Sequence, residues 1–245
     1  MRIVTRALLA AALVAAVGLI PSTAADETKK SDDTEGWVQL FNGKDLTGWK
    51  IPNPPSGQFS GVENKTEGDK VVAFVGKLKN GKDVTLWRVE NGEIIGGGPA
   101  SHIFTDRGDY TDFRFRVEAK VNDHGNSGQY FRTKFGPGFP AGYEAQLNAT
   151  HADPIKTGSL YPAGSLGKYR KDIAVVLNTA PHKPDEFFTQ EVVAKGNHIQ
   201  IFVNGKKTLD WTDPDSTFMK GHFALQGHDP NSVMTFRKVE VKELK

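Results

Sequence analysis

Asp112-Phe113-Arg114-Phe115-Arg116-Val117-Glu118-Ala119-Lys120-Val121 alternates apolar and charged side chains without a break. A period of two held this long is that of a β-strand with one face in a core and the other in water. Outward from it the same punctuation recurs. Residues 198–203 and 206–211 flank Asn204-Gly205, a pair that tolerates the positive φ angles of a tight hairpin turn. Residues 87–90 and 93–95 flank Asn91-Gly92 in the same way, and residues 233–244 read as a closing strand. No helix-period segment longer than about two turns interrupts residues 36–245, so the expected class is all-β, a sandwich or a barrel.

Two stretches read as long loops on that scaffold. Residues 52–83 carry Pro52, Pro54, Pro55 and several glycines, with 71–75 as a candidate edge strand. Residues 154–184 mix Gly, Pro and Lys without a sustained period. Loops of such length in a compact domain are commonly binding elements.

The first residues have the form of an export signal: Arg2 and Arg6, then an apolar run from Ala7 to Ile20 that is short for a membrane span, then Pro21 and small residues. Cleavage is expected after Ala24 or Ala25, which makes residues 1–25 a signal peptide, 26–35 a polar disordered lead-in and 36–245 one domain. The expected location is secreted or periplasmic, with no membrane span left after cleavage. Removing Arg2 and Arg6 takes Lys plus Arg from 31 to 29, against 29 Asp plus Glu, so the mature chain is neutral and carries no electrostatic footprint for nucleic acid. With no cysteine, disulfides, thiolate metal sites and thiol nucleophiles are excluded.

Three runs carry polar residues unlike an ordinary wet face. Alternation places Tyr130 with Arg132, Glu144 with Gln146 and Asn148, and His222 with Gln226 and His228, while Phe131, Tyr143, Ala145, Phe223 and Leu225 point the other way. If the three strands share one sheet, a carboxylate, a guanidinium, amides, a phenol and an imidazole converge. Such a set suits sugars: amides and Arg bond vicinal hydroxyls, an aromatic ring stacks on a sugar face, and Glu and His move protons. Each alone is an ordinary strand residue; together they point to carbohydrate. Among the seven histidines, His151-Ala152-Asp153 and His228-Asp229 could hold a divalent ion only if the fold joined distant segments, and the spacing supports neither a metal nor another cofactor. No nucleophile elbow, phosphate loop or dinucleotide fingerprint occurs, and no strand carries the closely spaced carboxylates of an ordinary glycosidase.

Residues 36–49, Gly-Trp-Val-Gln-Leu-Phe-Asn-Gly-Lys-Asp-Leu-Thr-Gly-Trp, resemble the opening signature of the DUF1080 or 3-keto-disaccharide hydrolase family. Further similar motifs follow in order: 87–95, 125–132, 142–146, 157–161 and 221–228. The resemblance implies a concanavalin A-like jelly-roll β-sandwich with long loops at its concave face, acting on 3-keto-glycosides. A ketone at C3 acidifies the C2 proton, so the C1 substituent can leave by elimination, followed by hydration; this needs one base and an enolate stabiliser. On that reading Glu144 or His228 is the base, and Arg132 or a bound metal steadies the enolate. Asn126, Tyr130, Gln146, Asn148, Tyr161 and Gln226 bind the sugar, and a sugar 3-dehydrogenase is the implied upstream partner. Residues 52–83 and 164–184 look longer than the family's usual links. The rival readings are a non-catalytic carbohydrate-binding module and an interaction protein of the cell envelope.

Overall fold

The computed structural model describes residues 35–162, 164–166, 170, 172–173 and 176–245. The expected signal peptide and all but the last residue of the lead-in lie outside them. In chain order the strands are β1 (Val38–Gln39), β2 (Trp49–Lys50), β3 (Phe59–Glu67), β4 (Lys70–Leu78), β5 (Asp83–Glu90), β6 (Glu93–Gly96), β7 (Ser101–Thr105) and β8 (Phe113–Val121). They continue as β9 (Ser127–Thr133), β10 (Tyr143–Leu147), β11 (Phe188–Lys195), β12 (His198–Val203), β13 (Lys206–Thr212), β14 (His222–Gly227) and β15 (Met234–Glu243). Among the described residues the only helical segment is a 3-10 turn, Gly164–Leu166, and no helix is long and apolar enough to cross a membrane.

The strands form two antiparallel sheets packed face to face, an all-β jelly-roll sandwich as expected. The larger runs β13-β12-β11-β8-β15-β6-β5-β4-β3, with β1 beside β15; the smaller runs β10-β9-β14-β7-β2. β8 lies inside the larger sheet, and its burial alternates at every residue. Its apolar face meets β14 across the core, where the Phe223 ring stacks on Phe115 at 4.0 Å and meets Phe113 edge-on at 4.7 Å. Burying each such ring contributes about 2–3 kcal/mol. Its polar face pairs charges across strands: Arg114 with Glu191 of β11 at 2.7 Å, and Arg116 with Glu240 of β15 at 2.5 Å. Both expected Asn-Gly turns are present, with φ of 53° and 79° at Asn91 and Gly92, and 50° and 78° at Asn204 and Gly205.

Residues 52–83 are not a long loop. Most of them form the β3–β4 hairpin, which extends the larger sheet beyond β5. Edge strand β3 is mostly exposed, so it never needed the one-sided alternation that marks β8. The stretch touches the smaller sheet's loops through Pro55, whose carbonyl accepts the Gly138 N–H at 2.9 Å. Between β10 and β11 the described residues form no named strand, and Leu160 is tied to β10 by its bridge with Ala145.

Candidate functional site

The smaller sheet has an inner face in the core and an outer face over which Phe139, Asp153, Tyr161 and Gly164 of the neighbouring loops stand. Register sets the outer face. Glu144 of β10 lies opposite Tyr130 of β9, which lies opposite Ala224 of β14; Gln146 lies opposite Gly128, and Gln226 opposite His102 of β7. Asn126, Phe139, Glu144, Gln146, Asp153, Tyr161, Gly164, Gln226 and His228 line a cavity of about 220 Å3 on this face. That is room for a single small ring, below the range of drug-sized pockets. A larger hollow of about 530 Å3 by Trp49, Asn53 and Asn64 is more open, and no histidine lines it.

Glu144 is at the centre. Tyr130 donates its hydroxyl to Glu144 Oε2 at 2.9 Å, and Gln226 Nε2 donates to Glu144 Oε1 at 3.1 Å and to the Tyr130 hydroxyl oxygen at 2.9 Å. Desolvation dominates those two bonds and pushes the Glu144 carboxyl up to about 8, so at neutral pH it is mainly protonated. Burial, with Glu144 beside it, pushes the Tyr130 phenol well above its usual value. Gly128 makes the arrangement possible, because a Cβ there would stand 2.5 Å from Glu144 Oε1.

Three amide oxygens on the cavity wall have no donor: Asn126 Oδ1, Gln146 Oε1 and Gln226 Oε1 are all buried and unpaired. An unpaired buried acceptor costs about 1–3 kcal/mol. Hydroxyl-rich ligands supply the donors these oxygens lack.

His228 is held from behind. Its Nδ1 lies 2.9 Å from Asp229 Oδ2, which also accepts from Ser232 Oγ at 2.6 Å, while Asp229 Oδ1 accepts the Asn231 N–H at 2.8 Å. Partial burial pushes the Asp229 carboxyl up, but the bonds from Ser232, His228 and the Asn231 amide outweigh it and hold it below the usual carboxylate range. An ionised Asp229 keeps the proton on His228 Nδ1 and leaves Nε2 as the free basic nitrogen.

The fold does join the two segments that could hold a metal. Ligand atoms of His151, His228 and Asp229 lie within 4.8 Å of one another. The bonding in place is that of a proton network, however: His151 Nδ1 accepts the Asp153 N–H at 3.1 Å, so its neutral ring carries the proton on Nε2, the nitrogen 3.9 Å from Asp229 Oδ2. A cation bound at Nε2 would have to displace that proton.

Of the residues expected from sequence, Asn126, Glu144, Gln146, Tyr161, Gln226 and His228 meet at the cavity, with Tyr130 buried beneath Glu144. Two do not. Arg132 is fully buried and turned away: Nε donates to Thr111 O at 2.9 Å, Nη1 to Gly196 O at 2.6 Å and Phe218 O at 3.2 Å, and the guanidinium sits over Phe113. The cause is a bulge, since Thr133 pairs with His222 and Tyr130 with Ala224, leaving one extra residue on β9, and Arg132 takes a φ of 49° there. Asn148 is spent on the following loop, accepting the His151 N–H at 3.0 Å and donating to Asp153 O and Ile155 O. His222 also stays outside the cavity, its Nδ1 2.8 Å from Thr105 O.

Sequence reasoning named Asp153 only as a possible metal ligand, and it missed Phe139 and His102. Asp153 brings a second carboxylate to the wall, but its oxygens already accept from the Tyr161 hydroxyl at 2.7 Å and the Ile155 N–H at 2.8 Å. Phe139 and His102 were overlooked; the signals were a phenylalanine in a Gly- and Pro-rich loop, 135–140, and a histidine inside the apolar strand β7.

Comparison with known proteins agrees with the architecture. The crystal structure of a "putative glycosyl hydrolase" from Parabacteroides distasonis superposes with a TM-score of 0.54 at 24% identity, covering 86% of this chain and 95% of that one. SCLam, a non-specific endo-beta-1,3(4)-glucanase, gives 0.51 at 14% identity, covering 84% and 91%. Both are likenesses of fold. An uncharacterised protein of Methanocaldococcus jannaschii is 30% identical over 126 residues, 51% of this chain and 52% of that protein, so the match spans about half of each. The family profile described as 3-keto-alpha-glucoside-1,2-lyase-like domain matches residues 36–242, and the chain therefore belongs to that family.

Proposed function

We propose that this protein, a carbohydrate-active family member, cleaves 3-keto-glycosides by elimination across C1 and C2. The observation that carries the reading is the convergence of a neutral carboxyl, a carboxylate-oriented imidazole and three donor-starved amide oxygens on a cavity for one ring. His228 Nε2 takes the C2 proton, and the electron pair of that C–H bond becomes an enolate with the C3 carbonyl. The enolate re-forms the ketone as the C1–O bond breaks, leaving a C1–C2 double bond, and Glu144 gives its proton to the departing oxygen. Addition of water across that double bond returns the free 3-keto sugar. With Arg132 outside the cavity, the amide groups of Asn126 and Gln146 are the hydrogen-bonding partners for the ketone oxygen.

The substrate's ketone must come from oxidation of an ordinary glycoside, so a sugar 3-dehydrogenase is the class of enzyme that acts first. In the same reading residues 1–25 carry the chain out of the cytoplasm. The test is release of the leaving group from a 3-keto-glucoside and from its unoxidised parent. Release from the keto form alone is expected, with loss of about a hundredfold or more in His228→Asn and in Glu144→Gln. Sugar binding without release would instead make the protein a carbohydrate-binding module.

A further inference from the structure

Elimination leaves a sugar whose C1–C2 double bond is conjugated to the C3 ketone, and it uses one acid and one base, Glu144 and His228. A second carboxylate, Asp153, lines the same cavity with Tyr161 beside it, and the elimination gives neither of them a proton to carry. Asp153 is held through backbone and side chain alike. Its N–H donates to His151 Nδ1 at 3.1 Å, and its carbonyl accepts from Lys156 Nζ at 2.6 Å and Asn148 Nδ2 at 3.1 Å. Oδ1 accepts the Ile155 N–H at 2.8 Å and Oδ2 the Tyr161 hydroxyl at 2.7 Å. Tyr161 is tied in turn to β10, where its N–H donates to the Glu144 carbonyl at 2.8 Å.

Those side-chain bonds use two of about four acceptor positions on a carboxylate, so Asp153 can take a further donor from the cavity. Glu144 lies on the floor at 5% exposure, whereas Asp153 is half-buried and more open to water. Desolvation, with Asp153 and Glu144 beside it, holds the Tyr161 phenol above its usual value, so it stays a donor to Asp153.

We propose that Asp153, oriented by Tyr161, is the general base that adds water to C1 of the unsaturated sugar, so that one cavity completes the hydrolysis. The inference rests on the elimination reading and names the group for the step that reading leaves unassigned. Asp153 takes one proton from water as the water oxygen bonds to C1. The π pair of the double bond becomes an enolate with the C3 carbonyl, and C2 then takes a proton from His228 Nε2. The proton on Asp153 passes through solvent to Glu144, which returns both carboxyls to their starting states. Burial, and in smaller part the Asp153 charge, hold the Glu144 carboxyl up at about 8, which draws that proton back. Without this step the product is the unsaturated sugar itself.

The experiment gives the unsaturated 3-keto sugar directly to the wild type, Asp153→Asn and Tyr161→Phe, and follows loss of its ultraviolet absorbance. The wild type should clear it well ahead of buffer, Asp153→Asn about a hundredfold more slowly and Tyr161→Phe about tenfold. With a 3-keto-glucoside as substrate, the ratio of unsaturated to hydrated product should rise at least tenfold in Asp153→Asn. A loss shared by both steps, as from a poorly folded variant, leaves that ratio unchanged. Tyr161→Phe, which keeps the ring in place, decides the matter where Asp153→Asn does not fold. A wild type no faster than buffer, or an unchanged ratio in the folded variants, overturns the inference. Hydration of the unsaturated sugar without leaving-group release would overturn the cleavage reading alone, and release without hydration would overturn this inference alone.

Discussion

Glu144 sits where burial, more than any neighbouring charge, governs its proton. Its carboxyl binds a proton up to about pH 8 in the folded chain and up to about pH 4.5 in an ordinary environment. Between those values the folded state holds the extra proton, so stability is full below the lower value and is lost as pH rises through the upper one. Buried His102 and half-buried His151 and His182, all lowered mainly by desolvation, act in the opposite sense, but only below their ordinary value of 6.5. Denaturant titrations at pH 7 and 9 should therefore show a wild-type loss on the order of 1 kcal/mol that Glu144→Gln abolishes. Equal slopes in the two proteins would contradict the assigned proton. The proposed assignment of His228 and not Glu144 as base rests on Asp229 gripping His228 Nδ1 and on Glu144 being dry, neither of which is legible in sequence.

At the scale of elements, β9 and its bulge decide which side chains reach the cavity. Period-two reasoning placed Arg132 beside Tyr130, and one extra residue opposite β14 turned it to the other side. Nothing in Ser127–Thr133 announces that bulge; it is fixed by pairing with a strand some ninety residues later. Removed from the site, Arg132 becomes a joint for the carbonyls of Thr111, Gly196 and Phe218. Arg132→Ala should lower stability by about 3–5 kcal/mol, read from chemical denaturation, because buried acceptors are left without donors. A loss below about 1 kcal/mol would show that the joint is dispensable. Of the β3–β4 hairpin, the candidate edge strand 71–75 is present inside β4, one place in from the edge, whereas β3 was hidden because a strand wet on both faces has no apolar period to read. The Asn-Gly turns and β8 were legible because local chemistry alone determines them.

For the whole molecule, one sheet supplies the platform and the other the core support. Phe113 and Phe115 of the larger sheet brace Phe223 behind the very strand that carries Gln226 and leads to His228. Bringing β9, β10 and β14 together as neighbours is what turns six separated polar residues into one cavity. That gathering followed from the expected sandwich; the roof did not, since Phe139 and Asp153 come from loops whose paths no periodicity describes. The central claim is proton removal at C2, and it leaves an isotopic mark. The protein is incubated with a 3-keto-glucoside in deuterium oxide, and the released sugar is read by NMR before free exchange becomes significant. Deuterium at C2 in the first product formed, with its appearance abolished in His228→Asn, is the predicted result. Rapid release of a product still carrying hydrogen at C2 would contradict it.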